Sequence, residues 1–169
     1  MVPINNASSI GVISDTHIPS RARTLPEKVL DVFSRCDAII HCGDVVSGEV
    51  LIELEAIAPL YGVRGNMDND NIGLPSDLAL KINDRFTLFV WHGSQSHFGL
   101  KERIYSRALQ SLKSPPYMLI HGHSHIAEIS RYNDSIVFNP GSATNGQEFN
   151  SVGLLHINKD EIIPEIIRI

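Results

Sequence analysis

At 169 residues, 43% hydrophobic and 20% charged, the chain has the apolar content for one sizeable core and too much for a disordered segment. A net charge of −5 makes no case for long nucleic acid, and no apolar run is long enough to cross a bilayer, which leaves room for a small phosphorylated substrate. Cys36 and Cys42, the two cysteines, read as reduced core residues, and residues 1–6 lack the basic and apolar regions of a secretion signal, so one cytoplasmic domain over residues 1–169 is expected.

Residues 1–8 carry no strand pattern and read as a frayed end. Residues 9–14 form the first predicted strand, followed by a loop. Thr24 and Glu27 fit a capping box opening a helix to about residue 35, with Leu25, Val29, Val32 and Phe33 inward. Residues 38–41 are the second strand, Ser47 caps a helix through about residue 58, and residues 60–63 are the third strand. Residues 66–74 look like a calcium loop at a glance, but Ile72 and Ala79 stand where that loop needs ligands, so the stretch is read as a loop beside the site. Strands are predicted at 77–82, 86–91 and 117–120, with a helix at 100–112. The last third reads as two hairpins, 126–132 with 135–138 and 152–157 with 161–167. Alternating strands and helices followed by a strand-rich end argue for two packed sheets flanked by helices.

Five apolar runs each end in a polar donor: Asp15 and His17, Asp44, Asn66, His92, and His123 with His125. Open α/β sheets bind ligands at the carboxyl ends of their strands, so these donors predict one metal site on one rim of a sheet, centred on Asp44. Asp15 with His17, and His123 with His125, sit two apart, a spacing that turns extended neighbours to the same side. Singly, each residue would be explained as a turn, cap or core residue; together they require five coincidences. The donors are oxygen and nitrogen with no thiolate, which suits manganese, iron, zinc or nickel. His41, His97, His121 and His156 keep structural explanations.

The order Asp15-x-His17, Gly43-Asp44, Gly65-Asn66, His92-Gly93 and Gly122-His123-x-His125 resembles that of the calcineurin-like metallophosphoesterases. With the small size and Asn139-Pro140-Gly141-Ser142, it is similar to their compact prokaryotic, YfcE-type phosphodiesterase branch. The resemblance runs from Ile10 to Ile167 and implies an α/β (α+β) fold, a four-layer αββα sandwich of two mixed β-sheets flanked by helices. It implies two divalent cations, manganese first, with nickel, iron or zinc as alternatives. Asp15, His17, Asp44 and His125 would hold one, and Asp44, Asn66, His92 and His123 the other, with Asp44 bridging. It further implies phosphoester hydrolysis by a hydroxide shared between the cations, which gives Asp44, Asn66, His92 and His123 the catalytic roles.

The chain also departs from that pattern. Met67 stands where larger relatives carry a histidine that can assist the leaving group. Ser94 replaces the third residue of a His-Gly-His run, and His97 follows as a substrate-side candidate. An arginine expected after Asn-Pro-Gly-Ser is absent; Arg103 and Arg107 share a helical face and are read as solvated. The competing reading is a non-catalytic, metal-binding scaffold similar to the retromer subunit Vps29. A metallo-β-lactamase-like site, suggested by His121-x-His123-x-His125, ranks lower because no Asp-His pair follows. Homo-oligomerisation is left open.

Overall fold

Short apolar runs punctuated by Gly, Asn and Asp give strands in this chain, and the three 3.6-period stretches give helices. The structure, a computed structural model, describes residues 1–169. The strands are β1 (Val2–Ile4), β2 (Ser9–Ile13), β3 (Ala38–His41), β4 (Leu60–Gly62), β5 (Asp77–Ile82), β6 (Phe86–Trp91), β7 (Met118–Ile120), β8 (Glu128–Tyr132), β9 (Ser135–Asn139), β10 (Ser151–Ile157) and β11 (Ile162–Arg168). The helices are α1 (Glu27–Phe33), α2 (Gly48–Glu55) and α3 (Leu100–Leu112).

The strands form two mixed sheets, one of six in the order β1-β5-β6-β7-β9-β8 and one of five in the order β11-β10-β2-β3-β4. In the second, β2, β3 and β4 run parallel, while β10 joins β2 antiparallel. In the first, β6, β7 and β9 are parallel, β5 runs antiparallel to β6, and β8 runs antiparallel to β9. Strand alternation gives each sheet two apolar faces. Ile10, Val12 and Ile40 meet Leu88, Val90, Ile120 and Phe138 between the sheets. On the outer face of the five-stranded sheet, Ile13 and Ile39 meet Val29 and Phe33 of α1 and Val50 and Leu54 of α2. Phe89, Leu119 and Val137 meet Ile104 and Ala108 of α3 on the other outer face. The layering is therefore helix, sheet, sheet, helix, as the sequence implies.

Several local expectations differ. Residues 2–4 are a strand, paired in parallel with Leu80–Ile82, because Ile4 is buried and a sheet edge was open to it. The capping box does not form: Pro26 occupies the N-cap of α1 with no side-chain hydrogen bond. Ser47 does cap α2, accepting from the Glu49 N–H at 3.3 Å. Helices α1 and α2 end at Phe33 and Glu55, short of the expected residues 35 and 58. The loop at 66–74 holds a 3-10 turn, Asp70–Ile72, and Asp68 ties it down by accepting from Val46 N at 2.7 Å and Gly65 N at 2.8 Å. Both cysteines are free thiols.

Candidate metal centre

All seven donors converge, but not on the rim of one sheet. Asp15 and His17 follow β2, Asp44 follows β3 and Asn66 lies beyond β4, all in the five-stranded sheet. His92 follows β6, and His123 and His125 follow β7, in the six-stranded sheet. The centre therefore lies where the carboxyl ends of two sheets meet, since packing the sheets face to face brings their parallel strands to a common edge.

The backbone must turn sharply there. Five of the seven donors hold left-handed dihedrals: Asp15 (φ 53°), His17 (45°), Asp44 (55°), His123 (68°) and His125 (57°). Non-glycine residues rarely adopt that region, and each such case costs about 1–3 kcal/mol that surrounding contacts must offset. Gly43 (φ 96°) could not carry a side chain, since a Cβ would lie 2.7 Å from His92 Nδ1. A Cβ on Gly65 would collide with Asp44.

Asp15 is fully buried. Its Oδ2 accepts from Ser14 Oγ at 2.5 Å and from His123 N at 3.0 Å. Its Oδ1 makes no hydrogen bond, although His125 Nε2 lies 3.1 Å away, His17 Nε2 3.8 Å and His92 Nε2 3.9 Å. Asp44 Oδ1 accepts from Met67 N at 2.7 Å, and Oδ2 faces His92 Nε2 at 3.3 Å and His17 Nε2 at 3.7 Å. His17 and His125 meet Nε2 to Nε2 at 3.2 Å. Asn66 Oδ1 lies 3.2 Å from His92 Nε2 and 2.8 Å from His123 Nδ1.

Three imidazoles are held from behind by main-chain carbonyls. His92 Nδ1 donates to Cys42 O at 2.7 Å, His123 Nε2 to Gln95 O at 2.6 Å, and His125 Nδ1 to Asn145 O at 2.8 Å. Each bond commits one ring nitrogen as donor, so in the neutral ring the other presents a lone pair to the centre. Asn66 Oδ1 and Asp15 Oδ1 add further lone pairs. Asp15, His17 and His125 form one group able to hold a cation, and Asp15, Asp44 and His92 another. Both carboxylates lie between the two imidazole pairs, Asp15 as well as the expected Asp44.

The charges are coupled. Burial works to raise the Asp15 carboxyl, and His125 and His92 outweigh it, so its pKa is lowered. Burial likewise opposes, and His92 and the Met67 N–H reverse, the shift of Asp44, which is also lowered. Burial depresses His17 despite Asp44 and Asp15. His92 is raised because both carboxylates outweigh its burial, and His125 is raised by Asp15.

His97 stands apart: it is exposed, stacks on Phe98 with ring centres 4.6 Å apart, and lines a neighbouring cleft with His123 and His125. His121 is buried behind the centre with Nδ1 3.0 Å from Gly122 O. Arg103 and Arg107 are half-buried and also bonded to the protein. Arg107 Nε donates to Asp77 at 2.7 Å, and Arg103 donates to the carbonyls of Ser94, Ser96 and Phe98. No residue pattern marks the carbonyls behind the histidines, because any residue supplies one. The Asn-Pro-Gly-Ser run did carry a signal: Asn139 Nδ2 donates to Gly122 O at 3.1 Å and Ser142 Oγ to Asp15 O at 2.7 Å, joining the two ligand-bearing loops from below.

Known proteins share this arrangement of chain. Residues 9–160 match the family model for the calcineurin-like phosphoesterase superfamily domain. A probable metallophosphoesterase of Methanothermobacter thermautotrophicus is 39% identical over 161 residues, covering 94% of this chain and 91% of that protein. A phosphodiesterase of Methanocaldococcus jannaschii is 30% identical over 151 residues, 78% of this chain and 82% of the relative. Among solved structures, Vps29 of Entamoeba histolytica in complex with zinc superposes with a TM-score of 0.73 at 26% identity, over 95% of this chain and 98% of that one. Ordered motifs, layering and near full-length matches agree, and the chain belongs to the calcineurin-like phosphoesterase superfamily.

Proposed function

We propose that the protein is a dinuclear metal-dependent phosphoesterase acting on small phosphodiesters, with Asp15, His17, Asp44, Asn66, His92, His123 and His125 as its ligands. The observation that carries this reading is Asp15 Oδ1, a buried anionic oxygen without a hydrogen bond among three imidazole nitrogens. A carboxylate oxygen buried without a hydrogen bond needs a cation facing it; a protonated imidazole can serve for one such oxygen, but seven convergent oxygen and nitrogen donors fit a divalent metal. The oxygen and nitrogen donors suit manganese, with nickel, iron or zinc as alternatives. Bound cations would supply Lewis-acid charge and a water of lowered pKa. The chain's own part is to hold the lone pairs in place: carbonyls orient His92, His123 and His125, and the Met67 N–H fixes Asp44. Met67 is 59% exposed at the mouth and has no proton to give, so acidic leaving groups should depart fastest.

The test is metal content after manganese loading and desalting, alongside hydrolysis of bis-p-nitrophenyl phosphate. We expect about two ions per chain and turnover that falls on the order of a hundredfold or more in His17→Ala and in His92→Ala. One ion per chain with normal turnover in both variants would overturn the dinuclear reading. The second reading, a scaffold, is favoured by the likeness to zinc-bound Vps29, and predicts metal without turnover.

A further inference from the structure

The cleft over the candidate centre, about 400 Å³, is lined by His17, Asp44, Asn66, His123 and His125, and by three residues that are not ligand candidates: Ser20, Arg21 and Met67. Arg21 is the one permanent cation among them. Arg64, Arg85 and Arg107 each have a carboxylate partner and Arg103 is bound to three carbonyls; Arg21, like Arg23, Arg35 and Arg131, has neither, and of these four it is the one that lines the cleft. Its main chain is nonetheless fixed to the centre: Arg21 N donates to His17 O at 2.7 Å, and Ser20 Oγ donates to the same carbonyl at 2.9 Å. An exposed arginine that lines the cleft, has no partner and is held beside His17 through its main chain is arranged to meet an anion.

The chemistry of the walls narrows the anion. The adjoining cleft, about 420 Å³, shares His123 and His125 and is otherwise lined by His97, Ser124, Asn145, Gly146 and Gln147. No Phe, Tyr or Trp lines either cleft and Met67 is the one apolar side chain in them, so the walls suit a hydrophilic substrate and would not bury an acyl chain.

We propose that Arg21 is a substrate-binding residue that forms an anion subsite beside the centre, selecting hydrophilic substrates that carry a negative charge beyond that of a simple phosphodiester. This rests on the phosphoesterase reading of the site. A phosphodiester has two unesterified oxygens, so charge beyond it is either the third oxygen of a phosphomonoester or an anionic group on the substituent of a diester. A charge-assisted hydrogen bond from an exposed guanidinium is worth about tenfold in affinity at the lower end of its range.

The experiment uses the zinc- or manganese-loaded full chain and compares wild type, Arg21→Ala and Arg21→Lys. Substrates are p-nitrophenyl phosphate, bis-p-nitrophenyl phosphate and the p-nitrophenyl diester of 2-carboxyethyl phosphate; calorimetric titration with inorganic phosphate gives a readout without turnover. In Arg21→Ala, we expect the kcat/KM ratio of an anion-bearing substrate to bis-p-nitrophenyl phosphate to fall about tenfold, mainly through KM, with Arg21→Lys recovering part of it. Phosphate should bind about tenfold more weakly. A fall confined to the monoester assigns the third phosphoryl oxygen; one confined to the carboxylate diester assigns the substituent. An unchanged ratio with unchanged phosphate affinity overturns the subsite while leaving the phosphoesterase reading intact. Equal loss on all three substrates also overturns it, because Arg21 would then act on the common phosphoryl group or on the fold. A metal-loaded wild type that neither hydrolyses any ester nor binds phosphate overturns the underlying reading as well.

Discussion

His41 is the histidine of this chain whose surroundings admit one protonation state. It is buried beneath the centre, where Nδ1 accepts from Gly43 N at 3.1 Å and Nε2 lies 3.2 Å from the hydroxyl of Thr16, which itself donates to Val45 O. A second ring proton would set an N–H against the Gly43 N–H. Burial lowers its pKa to about 4, below the ordinary 6.5. The unfolded chain therefore binds a proton at higher pH than the folded one, so His41 costs no stability above about pH 6.5 and progressively more as the pH falls towards 4. We predict that metal-free protein in chelator loses on the order of 3 kcal/mol between pH 7 and pH 4 through this group, and that His41→Gln flattens the curve. Urea unfolding of both proteins across that range measures it; parallel curves would refute the assignment. At this scale the sequence was legible for donors and illegible for their partners. Seven side chains could be named because Asp, Asn and His are distinctive, whereas Cys42 O, Gln95 O and Asn145 O act through atoms every residue has.

Helix α3 reaches the centre through the loop that precedes it. The Arg103 guanidinium donates to Phe98 O at 2.7 Å and to Ser94 O at 3.2 Å, and also holds Ser96 O. Gln95, between two of those carbonyls, accepts from His123 Nε2 and so sets which His123 nitrogen faces Asn66. We predict that Arg103→Ala weakens one of two cation-binding steps about tenfold or more, as loss of a group behind a ligand does, and spares the step served by His17 and His125. Metal titration followed by calorimetry checks this, and Arg103→Lys should restore part of the loss; two steps weakened alike would point to general unfolding. Helical periodicity placed Arg103 and Arg107 on one face correctly, but it does not say what that face meets. The capping box at Thr24 failed for a related reason: Pro26 already supplies the extended residue that opens α1, and the sequence pattern is silent on which of two signals wins.

Across the whole molecule, the layers were legible because alternation and helical period state which faces are apolar. The meeting of the sheets was not: strand ends can be counted in one dimension, whereas the sheet each strand joins depends on pairing across the chain. That is why one rim was expected and two were found. The arrangement has an energetic signature. Since Asp15, His17, Asp44 and Asn66 come from one sheet and His92, His123 and His125 from the other, a bound cation cross-links the layers and stabilises only the folded state. Under the proposed dinuclear reading, with free metal near a hundred times its dissociation constant, each site would add about 2.7 kcal/mol, and two would raise the melting temperature on the order of 10 °C. Thermal melts with manganese and with chelator test this, and His92→Ala, which removes a donor of the six-stranded sheet, should lose much of the rise; an equal rise in that variant would show that the metal acts elsewhere.

The left-handed turns at Asp15, His17, Asp44, His123 and His125 bear on how such a chain can change over generations. Glycine relieves the strain at any of them, so each is a place where losing a donor makes the backbone easier to build. Keeping the donors therefore opposes selection for a sturdier molecule at the same five positions. A descendant released from keeping the donors would drift towards glycine there and keep its sheets, and their loss would leave no scar in the fold.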